Sequence, residues 1–200
     1  MATILKIGRC DHGRPMTLDE FLAGDYEEGY GYELIDGRLY VSPTPNQPED
    51  WVNEWLADKL KLYAREHPDN INHISHGARV FIPGRRGVTN PQPDLAAYGD
   101  YPLHRHIRDI RWQDVRPKLV VEILSADDPD KDFVRNVELY LLVPSIKEYW
   151  VLDAREDPEH PTLTVYRRRG KKWQPLDIGP NDIYTTRLLP GFELILDSRS

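Results

Sequence analysis

The chain has 200 residues, 40% of them hydrophobic, which is enough for one sizeable core. Its net charge of −7 excludes a protein drawn onto phosphate backbones by bulk electrostatics, so any nucleic-acid contact must use a local basic patch. A single cysteine, Cys10, rules out an internal disulfide, and no apolar run approaches a membrane span or a secretory signal, so a cytoplasmic protein with no membrane partner is expected.

In chain order, Thr17 and Glu20 have capping-box spacing, predicting a short helix that Gly24 ends. "GYELIDGRLYVSP" alternates apolar and polar residues around Asp36-Gly37 and predicts a hairpin, so helix and hairpin together cover about 17–42. After a proline-punctuated loop, Trp51, Trp55, Leu56, Leu60, Leu62 and Tyr63 recur at mostly helical spacing and predict an amphipathic helix over about 49–66. Three strand-like runs follow, "INHISHGARVFIPG", "PDLAAYG" and "KLVVEILS", then a helix over about 131–142 and the strand "KEYWVLD". The order helix, three strands, helix, strand spans about 49–153 and defines an α/β (α+β) core. From about 162 to 196 a hairpin turning at Gly170-Lys171 and two short strands broken by Pro190-Gly191 predict a β extension of the same sheet. No linker or repeat divides residues 1–200, so one domain is expected.

The chemistry concentrates on Asp94, at the mouth of one strand, and Glu122, inside the next. Burying an unpaired carboxylate in "LVVEILS" costs several kcal/mol, so something must offset it. Two carboxylates on neighbouring strands raise each other's pKa unless a cation lies between them. A divalent metal resolves that conflict, and Mg²⁺ is usually held by one or two carboxylates with waters and substrate phosphates. The plainer alternatives are a structural ion pair for Glu122 and a strand-start aspartate for Asp94.

"YELIDGRLYVSP", "PQPDLAAY", "LVVEILS", the Asp132-to-Tyr140 helix and "IKEYWVLD", in that order, resemble the Uma-two family of the PD-(D/E)xK nuclease superfamily over about Leu18 to Leu196. The resemblance implies a restriction-endonuclease-like fold and a Mg²⁺- or Mn²⁺-dependent DNA endonuclease. It implies Asp94 and Glu122 as metal ligands, the Ile123 carbonyl as a further one, and a supporting role for Glu33. The chain departs from the pattern at its lysine. Leu124 stands two residues after Glu122, and Asn136 stands four before Tyr140, where the family supplies a lysine from the helix. Arg135 and Lys131 are the nearby cations; Arg135 can stabilise charge but cannot act as a base. Lys131 also reads as a solvated charge, Arg135 and Asn136 as a polar helix face, and Glu33 as a partner for Arg38. Asp128 and Asp130 complement the helix start.

Basic residues group in "PGRRG" (Arg85, Arg86) and "YRRRGKKW" (Arg167, Arg168, Arg169, Lys171, Lys172). They are candidate DNA-backbone contacts, or charges guarding an edge strand. A homodimer is expected, with Tyr149, Trp150 and the C-terminal strands as its interface. The alternative function is a catalytically weakened nuclease fold used as a nucleic-acid-binding or oligomerisation module.

Overall fold

The computed structural model describes residues 5–124, 130–180 and 182–200. Short strands β1 (Lys6–Ile7) and β2 (Asp25–Tyr26) pair in parallel around helix α1 (Leu18–Ala23). Thr17 and Glu20 close the expected capping box on α1, and Gly24 follows its last residue. Strands β3 (Tyr30–Ile35) and β4 (Arg38–Pro43) form the hairpin, with Asp36 and Gly37 both at positive φ, 52° and 73°. Both left-handed positions are what a tight hairpin turn requires, and Asp tolerates the first of them.

Helix α2 (Gln47–Glu66) begins two residues earlier than its apolar spacing suggests, because Asn46 and Glu49 form a second capping box and Pro48 suits the first turn. It packs on one face of a six-stranded sheet of order β10-β9-β8-β7-β6-β5. The strands are β5 (His73–Ser75), β6 (Leu95–Tyr98), β7 (Leu119–Ile123), β8 (Glu148–Asp153), β9 (Thr162–Arg169) and β10 (Lys172–Ile178). Among the described pairings of this six-stranded sheet only β7 and β8 are parallel, joined by a crossover through the second helical segment. The order helix, three strands, helix, strand therefore holds.

Alternation along β7 decides where the site lies. Leu119, Val121 and Ile123 join the core with α2, whereas Val120 and Leu124 face the opposite side with Leu139, Tyr140 and Val143. Glu122 shares this second face, so its carboxylate points at the helical segment.

Three expectations need correction. The run from residue 71 to 84 yields only β5; beyond it Val80 and Ile82 bond through their amides to Pro91 and Thr89 as a loose pairing. The segment 131–142 is not a plain α-helix but a π-helical turn, Lys131–Asn136, running into α3 (Val137–Leu141). The C-terminal strands β11 (Ile183–Thr186) and β12 (Leu189–Ile195) make their own two-stranded sheet; Pro190-Gly191 lies inside β12, and the chain turns at 187–188 instead. Asp130 makes no capping hydrogen bond, and Asp128 falls outside the described residues.

Candidate functional site

The β3–β4 hairpin stands over the end of the central sheet where β6 begins and β7 stops. Between them lies a cleft of about 590 Å³ whose lining includes Glu33, Glu49, Gln92, Asp94, Glu122, Ile123, Lys131 and Asp132. Asp94 and Glu122 thus meet, as their strands predict. Asp94 Oδ2 accepts from the Ile123 amide at 2.6 Å, which ties the start of β6 to the end of β7. Glu122 is 1% exposed and accepts from Asn136 Nδ2 at 2.9 Å and from the Tyr140 hydroxyl at 2.8 Å. Asn136 Nδ2 also donates to Asp132 Oδ1 at 3.0 Å.

Glu33 reaches the same cleft from the hairpin. Its Oε1 accepts from the Gln92 amide at 2.8 Å and its Oε2 pairs with Arg135 Nη2 at 2.8 Å. Arg135 therefore does not face the metal candidates directly; its guanidinium lies 4.7 Å from the Tyr40 ring centre and bonds Asn136 Oδ1 through Nε. Glu33 pairs with this arginine and not with Arg38, which bonds the Gly13 carbonyl. Lys131 is not a solvated charge: it is partly buried in the cleft wall, with Glu33, Glu122, Asp132 and Asp94 around it.

The electrostatics follow from a charge imbalance, four carboxylates against Lys131 and Arg135. Burial pushes Glu122 well above the usual carboxylate range, and Asp132 and Asp94 repel it further. Burial likewise raises Asp94, against the pull of Lys131, and raises Asp132 to about 7. Burial opposes the charge on Glu33 too, but Lys131, Arg135 and the Gln92 amide outweigh it and leave Glu33 below its ordinary value. Burial alone would lower Lys131, yet the surrounding carboxylates together raise it. A site with acids in excess, held ionisable by few cations, has the character of a hard-cation site.

The donor chemistry suits a divalent ion: Asp94, Glu122 and the Ile123 carbonyl are all hard oxygen ligands on adjoining strand ends. Among the described residues no three acidic, His or Cys side chains converge into a ready-made cage. Mg²⁺ does not require one, since it takes one or two carboxylates and keeps several waters.

Asp132 is the member that strand-based reasoning passes over. Its signal was present, because Asp132, Asn136 and Tyr140 recur every four residues and so share the helical face turned to Glu122. Leu124, at the superfamily's lysine position, is fully buried against Leu139 and Tyr140.

The basic groups lie elsewhere. Arg167, opposite Glu148 in the β8–β9 register, marks the other end of the sheet. Lys147, Arg167, Arg168, Arg169 and Arg187 line a second cleft there, of about 1080 Å³. Arg168 spends its guanidinium on the carbonyls of Tyr140, Leu141, Val143 and Ile146, so it closes the end of α3. Arg167 pairs with the buried Glu148 and stacks on Tyr184. Arg169 bonds Gln174, while Lys171 and Lys172 are exposed at the hairpin tip. Arg85 is tied to Asp36 at the β3–β4 turn, and Arg86 beside it is exposed. Tyr149 and Trp150 are fully buried in the sheet and cannot form a dimer surface.

A mixed sheet carrying a strand-mouth aspartate and a mid-strand glutamate, with a helix crossing between its parallel strands, is the arrangement expected of the restriction-endonuclease-like fold class. More narrowly, the chain belongs to the Uma2 family, described as "Putative restriction endonuclease", whose model matches residues 18–197. The fold is also that of a crystal structure from Anabaena variabilis, titled as a "putative nuclease belonging to DUF820". That structure has a TM-score of 0.68 at 18% identity, over 92% of this chain and 96% of the other. No curated protein matches the chain. Among the described residues no helix is long and apolar enough to cross a membrane.

Proposed function

We propose that the chain is a DNA endonuclease that hydrolyses phosphodiester bonds with Mg²⁺ or Mn²⁺. The observation that carries this is the gathering of Glu33, Asp94, Glu122 and Asp132 around Lys131 in one cleft. Asp94 and Glu122 would hold the ion, with the Ile123 carbonyl beside them. When bound, the ion supplies Lewis-acid polarisation of the phosphate and a lowered pKa for a bound water. Asn136 and Tyr140 orient the Glu122 carboxylate through its Oε1. Arg135 fixes Glu33, and the charges of Glu33, Glu122, Asp132 and Asp94 favour the ammonium form of the partly buried Lys131. Lys131 lines the same cleft and would be the nearby positive charge to offset charge developing on the phosphate, which Leu124 and Asn136 cannot do. Cutting both strands of a duplex would require two such sites, hence a homodimer.

One observation favours a weakened, binding-only fold. Asn136 fills the family's lysine position and is itself consumed by hydrogen bonds to Glu122 and Asp132. Incubation of plasmid and single-stranded circular DNA with Mg²⁺ or Mn²⁺ separates the two readings. Nicking or linearisation that disappears in Glu122→Ala and Asp94→Ala is expected. Intact DNA with wild type and both variants, together with no calorimetric metal binding, leaves the binding module. Gain of rate in Asn136→Lys would show that this helix position serves the metal.

A further inference from the structure

Helix α2 and the β11–β12 pair cover the same face of the central sheet, since Leu56, Leu60, Phe192 and Leu194 all enter the core around Trp150. Helix and β12 run alongside in opposite directions. The Tyr63 ring meets Phe192 near one end, and Trp51 Nε1 donates to Ser198 Oγ at 3.1 Å near the other. The outer side of this layer is unusually apolar. Of the ten large hydrophobic side chains exposed among the described residues, four lie on it: Trp51 and Leu62 on the helix, and Ile183 and Ile195, which face each other across the β11–β12 ladder. Trp51 and Leu62 are about three turns apart and so fall on one line of α2.

The tryptophan is also held in place. Its ring is 50% exposed, yet its Nε1 is tied to Ser198, which is 3% exposed and donates to the Pro158 carbonyl at 2.8 Å. A large ring that is already ordered loses little entropy on docking, which suits it as an interface anchor.

Beside the apolar line runs a row of charges, Glu54, Asp58, Lys61 and Arg65, spaced three or four residues apart along one stripe of the helix. Both acids precede both bases. Among the described residues the ion pairs of this row are loose and exposed, Lys61 to Asp58 at 3.8 Å and His76 to Glu54 at 3.7 Å. Acids first and bases last suits the helix dipole, but the dipole does not call for a tryptophan, a leucine and two isoleucines beside them. A row in this order is complementary to its own reverse. A two-fold axis lying in the layer and perpendicular to α2 sets a second helix antiparallel over the first, with each acidic half against a basic half and every contact made twice. The same rotation brings Trp51 over the half of the partner helix that carries Leu62, and the isoleucine pair over its own copy.

The size of the layer agrees. Twenty residues of helix are about 30 Å long, and a helix about 10 Å wide beside two strands about 5 Å apart gives roughly 600 Å² in flat projection. A stable dimer buries about 800 Å² of accessible surface per partner, and a corrugated surface exceeds its projection.

We propose that this outer layer is the interface of a homodimer, with α2 antiparallel on α2 of a second copy and the two β11–β12 pairs meeting beside it. This rests on the nuclease reading for its purpose, two sites for two strands, and supplies the surface that joins them. Asn46 and Glu49, at the start of α2, line the acid cleft, so the two clefts lie at opposite ends of the helix pair.

Sedimentation velocity and light scattering on the purified chain, without DNA or metal, test the interface apart from cleavage. Twice the 23.3 kDa monomer mass is expected at concentrations of about 1 to 100 µM. Trp51→Ser with Leu62→Ser weakens the dimer at least about tenfold. Glu54→Lys with Asp58→Lys in one variant, and Lys61→Glu with Arg65→Glu in another, each leave monomers, because like charges then meet. Mixing the two charge-reversed variants restores a heterodimer, which a merely destabilised fold would not do. Thermal melts confirm that all variants fold. A monomeric wild type overturns the proposal, as does a dimer that survives both charge reversals, or a mixture that stays monomeric. Cleavage is scored separately. Plasmid cutting by a monomeric wild type overturns the proposal and leaves the nuclease reading intact. A dimer with the expected variant pattern and no cutting supports the proposal and removes the nuclease reading.

Discussion

The two ends of the central sheet carry opposite charge and treat it in opposite ways. Where β8 begins and β9 stops, arginines crowd together, and two of them are engaged in holding the fold: Arg167 satisfies buried Glu148, and Arg168 satisfies four carbonyls. Where β6 begins and β7 stops, carboxylates crowd together and are left with mutual repulsion and raised pKa values. Cations engaged with buried partners contribute stability, whereas buried carboxylates that repel one another in a cleft are the pattern expected where a charge arriving from outside offsets them. Counting charges along the chain would have ranked the arginine-rich end as the functional one. Asking which charges already have partners reverses that order.

The largest effect that can break this contrast is at Lys131. Replacing it with Met removes the cation that Glu33, Asp94, Glu122 and Asp132 surround, and cleavage is expected to fall by about 100- to 1,000-fold at saturating metal. Lys131→Arg, which keeps the charge, is expected to lose less. Single-turnover rates on DNA, with melting curves to confirm folding, measure both; an undiminished rate in Lys131→Met would take the lysine out of the mechanism.

At the opposite end the sensitive quantity is stability. Glu148 is 5% exposed and accepts from Trp150 Nε1 at 2.9 Å, Tyr184 at 3.0 Å and Thr186, with Arg167 at 3.6 Å. Glu148→Ala strands these donors and a partly buried guanidinium, at an expected cost of about 3 kcal/mol in urea unfolding. Cleavage by the folded fraction should be unchanged. Arg168→Ala should cost about 2 kcal/mol, and Arg168→Lys should recover little, because one ammonium cannot fork to four carbonyls. A fall in catalytic rate larger than the fall in folded fraction would show that the two ends are coupled.

The contrast was only half legible in the sequence. Asp94 and Glu122 stand out because a carboxylate in an apolar strand needs a reason, and strand order alone brings them together. Asp132 was obscured because "DDPDKD" reads as a solvated helix start, and only the face shared with Asn136 and Tyr140 turns it inward. Lys131 was named as a candidate cation, but its burial was obscured by the π-helical turn, since a helix drawn with regular α spacing does not show how the wider turn aims its first residue. The sheet extension through β9 and β10 follows from alternation and the Gly170 turn, but β11 and β12 carry the same pattern and pair only with each other. Periodicity identifies a strand and its buried face; which partner it joins depends on register and on distant surfaces it must cover. The burial of Trp150 was hidden for that reason, because β11 and β12 supply the Tyr184 and Phe192 rings that pack on it, while Tyr149 on the other face packs on Tyr140 and Tyr166.

The smallest expected effect lies at the hairpin turn, where a charged pair belongs to neither end. Arg85 holds the Asp36 carboxyl below its ordinary range, chiefly through their hydrogen bond and then through charge. Both side chains are about a third exposed, at 33% and 38%, so solvent screens the pair and Arg85→Ala should cost under about 1 kcal/mol at neutral pH. Because the folded-state value is depressed, the pair's contribution is fully present above the ordinary carboxylate pKa of about 3.9 and is lost as pH falls through the lower folded value. Urea midpoints of wild type and Arg85→Ala should therefore converge as the pH is taken below 4 and as salt is raised. A gap that widens on acidification would mean that Arg85 stabilises the fold through something other than Asp36. An affinity for DNA that drops with the same substitution would return Arg85 to the nucleic-acid surface, and would draw the charge contrast between hairpin and cleft instead of between the two ends of the sheet.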